Sequence, residues 1–397
     1  MGKITPFCRR NPSTTSGLFS GLLIFVFWLA APLHACQICL PFPTTSLADH
    51  LIDADQVVLA RENPDKPFSL IAKEVLKGEN TLPEIDLFLD SQSRRLLAGD
   101  PERHIVCTRV STGDSSEWTR VATSNPKLLT IIKEILSKAS QWTEKPVERS
   151  AYFAPYLGNK DRSIATLAHL EVARAPYSEI RELVDAMPIE QLRAFLNDFR
   201  YAEWHALYIL LLAQSDDPTD QQRIISAVES NADYSITLQT AAWATAFIEL
   251  KEIQALEFFD QRYLKDPNRS IDEIRVILAA YSVHGTNGHT HLRDHIIESY
   301  RALAEKHPEL LPTLTVDLAK WKSWALADQV SAVLTSQAEA FDLESTLQLR
   351  SYLREAKGSG KPQDRNGSKT NPIIWIIGAL LLLPLTFKFL GAQKARN

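Results

Sequence analysis

The chain has 397 residues, 45% of them hydrophobic and 23% charged, and a net charge of −5 at neutral pH. That length holds two or three domains, and that composition suits packed globular cores rather than a disordered or collagen-like chain. With a pI near 6.1 and no basic face in the sequence, a general nucleic-acid binder is excluded, because such proteins need a cationic surface to displace counterions.

Lys3, Arg9 and Arg10 precede an apolar run from Leu18 to Ala31, which ends in Pro32-Leu-His-Ala35 just before Cys36. This is the pattern of a secretory signal over residues 1–35, with an uncleaved anchor as the alternative. Cys8 falls within the signal, leaving Cys36, Cys39 and Cys107, an odd number for an oxidising compartment. Leu40-Pro-Phe-Pro43 follows the CxxC pair and reads as extended. A redox pair needs its first thiolate at a helix N-terminus, so the expectation is a structural disulfide instead. It would join Cys107 to Cys36 or Cys39, and the spacing does not choose between them. Leu33-His-Ala-Cys36 also resembles the box before a bacterial lipidated cysteine, in which case Cys39 and Cys107 are left to pair.

Over residues 36–124 a short helix at 46–53 precedes five segments rich in β-branched residues, at 56–61, 68–76, 84–89, 104–110 and 118–121. Turn residues separate them at Asn63-Pro-Asp65, Lys77-Gly-Glu-Asn80, Gly99-Asp-Pro101 and Thr112-Gly-Asp114. Five short strands predict a small closed or half-closed barrel. Cys36-x-x-Cys39, then Ala54-Asp-Gln-Val-Val58 and Val75-Leu-Lys-Gly78, resemble the opening of the netrin-like domain. That family includes the tissue inhibitors of metalloproteinases, and the resemblance implies an OB-like barrel behind a cysteine arm. A free Cys36 would then be placed to chelate a protease zinc, although the family's usual CxC arm is CxxC here.

Residues 125–357 read as helix after helix. The first, from Asn125 to Leu136, carries Leu128, Ile131, Ile132, Ile135 and Leu136 at helical spacing. Pro155–Tyr177 is a polar turn, a helix bearing Ile164, Leu167, Ala168 and Val172 on one face, and a break at Pro176. Small residues recur at Ala165, Ala206, Ala242 and Ala279, in steps of 41, 36 and 37 residues, each long enough for a helix pair. The pattern resembles HEAT-like α-solenoid repeats, which implies a stacked array offering a surface to a protein or peptide. The alternative is an irregular helical bundle.

Residues 358–372 are a polar linker, and 373–390 are almost wholly apolar apart from Pro384 and Lys388. Eighteen helical residues span roughly 27 Å, close to the hydrocarbon thickness of a bilayer. The expectation is a single C-terminal transmembrane helix with a cytoplasmic tail at 391–397 bearing Lys394 and Arg396. The whole would be an α+β multidomain chain at the plasma or inner membrane: an OB-like barrel, then a HEAT-like array, with the N-terminal bulk periplasmic or extracellular.

The densest chemistry lies in His284-Gly-Thr-Asn-Gly-His-Thr-His-Leu-Arg-Asp-His295. His291 and His295 are four apart and would share a helix face; with His289 and either His284 or Asp294 they could hold a divalent transition metal. A helix cap and solvated loop is the plainer reading. Trp321 and Trp324 at helical spacing read as array core or as an aromatic platform, Trp204-His205 as core, and Ser91-Gln-Ser-Arg-Arg95 as a solvated loop. No HExxH, phosphate loop or nucleophile elbow occurs. The reading is a non-catalytic, membrane-anchored scaffold for a protein partner, without nucleic acid or cofactor. The alternatives are an envelope metal-binding protein using the histidines, or an inhibitor-like or hydrolytic protein.

Overall fold

A computed structural model of the chain describes residue 38 and residues 45–359, apart from 113–114 and 235–238. The expected leader, Cys36, Cys39, most of the linker and the tail beyond it lie outside the described residues. The chain divides into two compact units at Lys306/His307.

The first unit opens with helix α1 (Leu47–Asp53), set by a capping box in which Ser46 Oγ accepts from Asp49 N–H and Asp49 Oδ2 accepts from Ser46 N–H. Five antiparallel strands follow: β1 (Gln56–Glu62), β2 (Ser69–Lys77), β3 (Glu84–Phe88), β4 (His104–Thr112) and β5 (Ser115–Ser124), in the order β3-β2-β1-β4-β5. Irregularities at Val57/Val58, Leu59/Ala60, Ser69/Leu70 and Val106/Cys107 break the register. Such bulges bend strands, and the sheet curls until its edges β3 and β5 approach, making a half-barrel. Val58, Ala60, Leu70, Ala72, Ile85, Leu89, Ile105 and Cys107 fill its concave core. Gln56 through Ala60 are all buried, so central β1 is covered on both faces, which accounts for a continuous apolar run where alternation would mark a half-exposed strand. Gly78 closes the turn after β2 at φ +102°, where an added Cβ would stand 2.9 Å from the Asp55 carbonyl.

Residues Ser91–Arg95, expected as a loop, form the start of helix α2 (Ser91–Gly99). Asp90 is its N-cap, accepting from Gln92 and Ser93 N–H at 2.9 Å each, and Arg120 pairs with the same carboxylate at 2.8 Å. The Ser93 hydroxyl and N–H, then Arg120, hold the Asp90 carboxyl well below its ordinary range. Cys107 is a fully buried thiol in the half-barrel core, and burial pushes it up to about 12.

The remainder of the first unit is helical. α3 (Pro126–Glu144) and α4 (Pro146–Phe153) lead to α5 (Arg162–Ala173), capped by Asp161, and to the short α6 (Tyr177–Ile180). Then come α7 (Ile189–Leu196), α8 (His205–Leu212), α9 (Pro218–Ala232), α10 (Thr240–Lys251), α11 (Ile253–Phe259), α12 (Ile271–Asn287) and α13 (Arg293–Lys306). α8, α10 and α12 pack side by side in that order. Every residue of α8 from Ala206 to Leu212 is buried, as befits a helix apolar on all sides. Ala206 and Ala242 are both buried.

A partly buried ionic cluster joins the half-barrel's leading helix to the helical array. Arg149 donates to Glu171 Oε2 (2.6 Å) and Oε1 (2.9 Å) and to Asp49 Oδ1 (2.7 Å), and Arg174 donates to both Asp49 oxygens at 2.7 Å. Ser46 Oγ also donates to Glu171, whose side chain is fully buried. Burial opposes the charge on Asp49, but the Ser46 N–H and the two guanidiniums outweigh it and hold its carboxyl below the ordinary range.

The second unit contains α14 (Leu311–Lys320), α15 (Ala327–Ser336) and α16 (Leu343–Ser359). Trp321 and Trp324 follow the end of α14, and the Trp324 ring lies 5.2 Å from that of Tyr352 in α16. Helix α15 starts only at Ala327, with Lys322 at φ 54° in the turn before it.

Among the described residues no helix is long and apolar enough to cross a membrane. The longest, α3, has 19 residues but carries Lys127, Lys133, Glu134, Lys138 and Glu144 beside its apolar stripe, and such charges are costly within hydrocarbon. Against the expected fold with a single C-terminal transmembrane helix, and the expected single-pass placement at the plasma or inner membrane, no described helix can serve as the span. The segment 373–390, on which that expectation rested, lies outside the described residues. Its apolar composition measures the hydropathy of a run, not the conformation the run adopts.

Candidate metal centre

The packing of α12 along α10 brings two distant segments together. The end of α10 supplies Glu249 in its last turn and Glu252 at the corner where α11 begins. α12 runs on to Asn287, so His284 lies within it and only Gly288–His289 form the turn. A 3-10 turn (Thr290–Leu292) follows, and α13 begins at Arg293. His291 and His295 therefore do not share one regular helix, and their four-residue spacing does not align them.

His284 is completely buried. Its Nε2–H donates to the Thr245 carbonyl (2.9 Å), which leaves Nδ1 to accept from His289 N–H (3.4 Å). Gly288 permits that fold-back, since an added Cβ would lie 2.6 Å from His284 Nδ1. Burial drives the His284 imidazole down to about 3. With both nitrogens engaged, His284 forms the wall of the site, edge-on to Tyr177 and parallel to the His289 ring at 5.4 Å.

His289 lies over that wall. Its Nε2 is 3.3 Å from Glu249 Oε1, close enough for electrostatic attraction, yet the two are not aligned for a hydrogen bond. That nitrogen is buried without a hydrogen-bond partner among the described residues. The misalignment outweighs the short distance, because the strength of a hydrogen bond depends on its angle. Glu249 is itself saturated: Arg181 donates through Nε (3.0 Å) and lies 2.8 Å away through Nη2, and the Tyr177 hydroxyl donates at 2.9 Å. Burial, then the Glu249 charge, raises the Tyr177 phenol well above its ordinary value.

His291 Nε2 meets Glu252 Oε2 at 2.9 Å, both side chains about half exposed at 58% and 49%. That hydrogen bond is the main reason the Glu252 carboxyl sits below its ordinary range. One donor atom each from Glu252, His289 and His291 lies within 4.8 Å of the others, and Glu249, His284 and His289 form a second such group. His295 belongs to neither. Its Nε2 is 3.6 Å from Asp260 Oδ2, which also accepts from Ser299 Oγ (2.9 Å), while Tyr281 donates to Asp260 Oδ1 (2.9 Å).

Of the four histidines singled out by sequence, the structure places His289 and His291 facing one another, His284 behind them and His295 elsewhere. Sequence reasoning missed Glu249 and Glu252, which lie about forty residues upstream. Their only signal was the three-residue spacing of two carboxylates at a helix end, a pattern common on solvated faces. No family model, curated protein or solved structure matches the chain.

Proposed function

We propose that this chain binds a divalent first-row transition metal through Glu252, His289 and His291. One observation carries the reading: the three side chains converge from two segments of chain, each offering a donor atom within 4.8 Å of the others, and His289 Nε2 is buried with no hydrogen-bond partner among the described residues. Two imidazoles and a carboxylate suit Zn²⁺, Ni²⁺, Cu²⁺ or Fe²⁺ better than the hard Mg²⁺ or Ca²⁺, which prefer all-oxygen shells. Glu249 Oε1 lies 3.3 Å from His289 Nε2 and is held by Arg181, so it stands as a further carboxylate beside the ion. The half-exposed Glu252 and His291 leave the remaining coordination positions to water.

The test is equilibrium dialysis of the full chain against Zn²⁺ with elemental analysis. We expect one tightly held ion per chain, lost in His289→Ala/His291→Ala and kept in His295→Ala. Zinc at a hundredfold excess over its Kd would add about 2.7 kcal/mol of stability. An ion content unchanged by the double substitution would refute the assignment.

The helical array supports a second reading, a protein-interaction scaffold without catalysis of its own, its stacked helices resembling HEAT-like repeats. The supporting observation is a pair of exposed aromatic rings, Phe199 (84% exposed) and Tyr234 (68%), on neighbouring connections of the array. Gln239 Nε2 donates to the Ala202 carbonyl and ties these two connections together. A stoichiometric partner co-purifying with the full chain should be lost on Phe199→Asp/Tyr234→Asp. Undiminished recovery would count against this surface.

A further inference from the structure

Glu252 stands out on the backbone as well as at the site. Its φ of 48° and ψ of −119° place it at the corner between α10 and α11 in a conformation that glycine adopts freely and side-chain-bearing residues avoid. The corner itself is well made: Glu252 N–H donates to the Ile248 carbonyl (2.9 Å), and the Glu252 carbonyl accepts from Ala255 (3.1 Å) and Leu256 (3.2 Å). Its carboxylate caps neither helix. Glycine would therefore serve the backbone better, and the glutamate adds only a carboxylate opposite His291 and His289.

We infer that Glu252 is a strained metal ligand, and that the ion acts as a clasp which offsets this strain by joining the α10–α11 corner to the 288–292 turn. The inference rests on the metal-binding reading above and adds a thermodynamic consequence to it. Residues held in sparsely populated backbone regions persist where a local function needs them. Here the strained residue is also the one ligand contributed by α10 and its corner. Without metal, the His291 hydrogen bond is a half-exposed contact that water can replace. With metal, Glu252, His289 and His291 become ligands to one centre, and the ends of the packed helices α10 and α12 are fixed together.

The experiment compares wild type, Glu252→Gly and Glu252→Gln in the full chain, by thermal unfolding in chelator and with added Zn²⁺, and by zinc titration. Glu252→Gly should melt roughly 2–6 °C higher than wild type in chelator, while its zinc affinity falls roughly tenfold or more. Glu252→Gln keeps the strained backbone, so it should melt near wild type in chelator yet show the same loss of zinc affinity. If Glu252→Gly melts lower in chelator while wild type still binds zinc through His289 and His291, the strained-ligand inference fails and the metal site stands. If both variants keep wild-type zinc affinity, Glu252 is not a ligand and the inference also fails. If wild type binds no zinc through the histidines, the metal-binding reading itself is overturned.

Discussion

Replacing Arg149 with alanine is expected to destabilise the protein by roughly 3 kcal/mol, measured by chemical denaturation at neutral pH. Arg149 is the main partner of a Glu171 side chain that has no access to solvent, and it also reaches Asp49 in the helix leading into the half-barrel. Removing it leaves a buried carboxylate facing only Arg174 at 3.7 Å and the Ser46 hydroxyl. A buried charge stripped of its partner is costly because the protein interior solvates it poorly. The contrast is Arg275→Ala, which removes a pair with Asp272 whose side chains are 50% and 74% exposed. That change should stay within about 0.5 kcal/mol of wild type, since water screens such pairs. Equal effects from the two substitutions would contradict the cluster's role in joining sheet to helices.

Acidification should weaken the fold well before the carboxylates titrate, and buried His169 is one reason. It is buried in α5, its Nδ1–H donates to the Ala165 carbonyl (2.6 Å), and its Nε2 accepts from the Tyr208 hydroxyl. Trp204 packs on the ring at 4.7 Å, and no charged side chain hydrogen-bonds to the ring. Burial lowers its pKa from 6.5 to about 4, only partly opposed by the Ala165 carbonyl. The unfolded chain therefore takes up this proton more readily than the folded one. The contribution is fully present above pH 6.5 and is lost as pH falls toward 4, by about 1.4 kcal/mol per pH unit in mid-window, on the order of 3 kcal/mol in all. Asp49, held below its ordinary range by its partners, contributes in the same direction at lower pH. In a series of unfolding curves between pH 7.5 and 4, His169→Gln should show a slope shallower by about one proton. A variant with the wild-type slope would show that this histidine is not held neutral.

The strands were readable because Val, Ile and Leu cluster between turn residues, and each of the five expected segments overlaps an observed strand. Helix α2 was not, because Ser91-Gln-Ser-Arg-Arg95 looks polar and loop-like until Asp90 is recognised as its cap. After Tyr177–Ile180 the helix gives way to a 3-10 turn, a break that the apolar spacing does not announce. The histidine cluster was visible as a composition anomaly, but its division was not. Whether a histidine faces a metal or a carbonyl depends on contacts with residues some forty positions away: Thr245 takes His284, Asp260 takes His295, and Glu252 takes His291. Those pairings come from the packing of α10 and α11 against α12 and α13, which no local spacing encodes.

A bound metal ion should sit among Glu252, His289 and His291. Crystals of the full chain soaked with Zn²⁺ and measured on both sides of the zinc absorption edge test this most directly. The result expected is one anomalous peak about 2.0–2.2 Å from a Glu252 carboxylate oxygen and from one ring nitrogen each of His289 and His291. A peak bound by other residues, or none at these three side chains under saturating zinc, would contradict it.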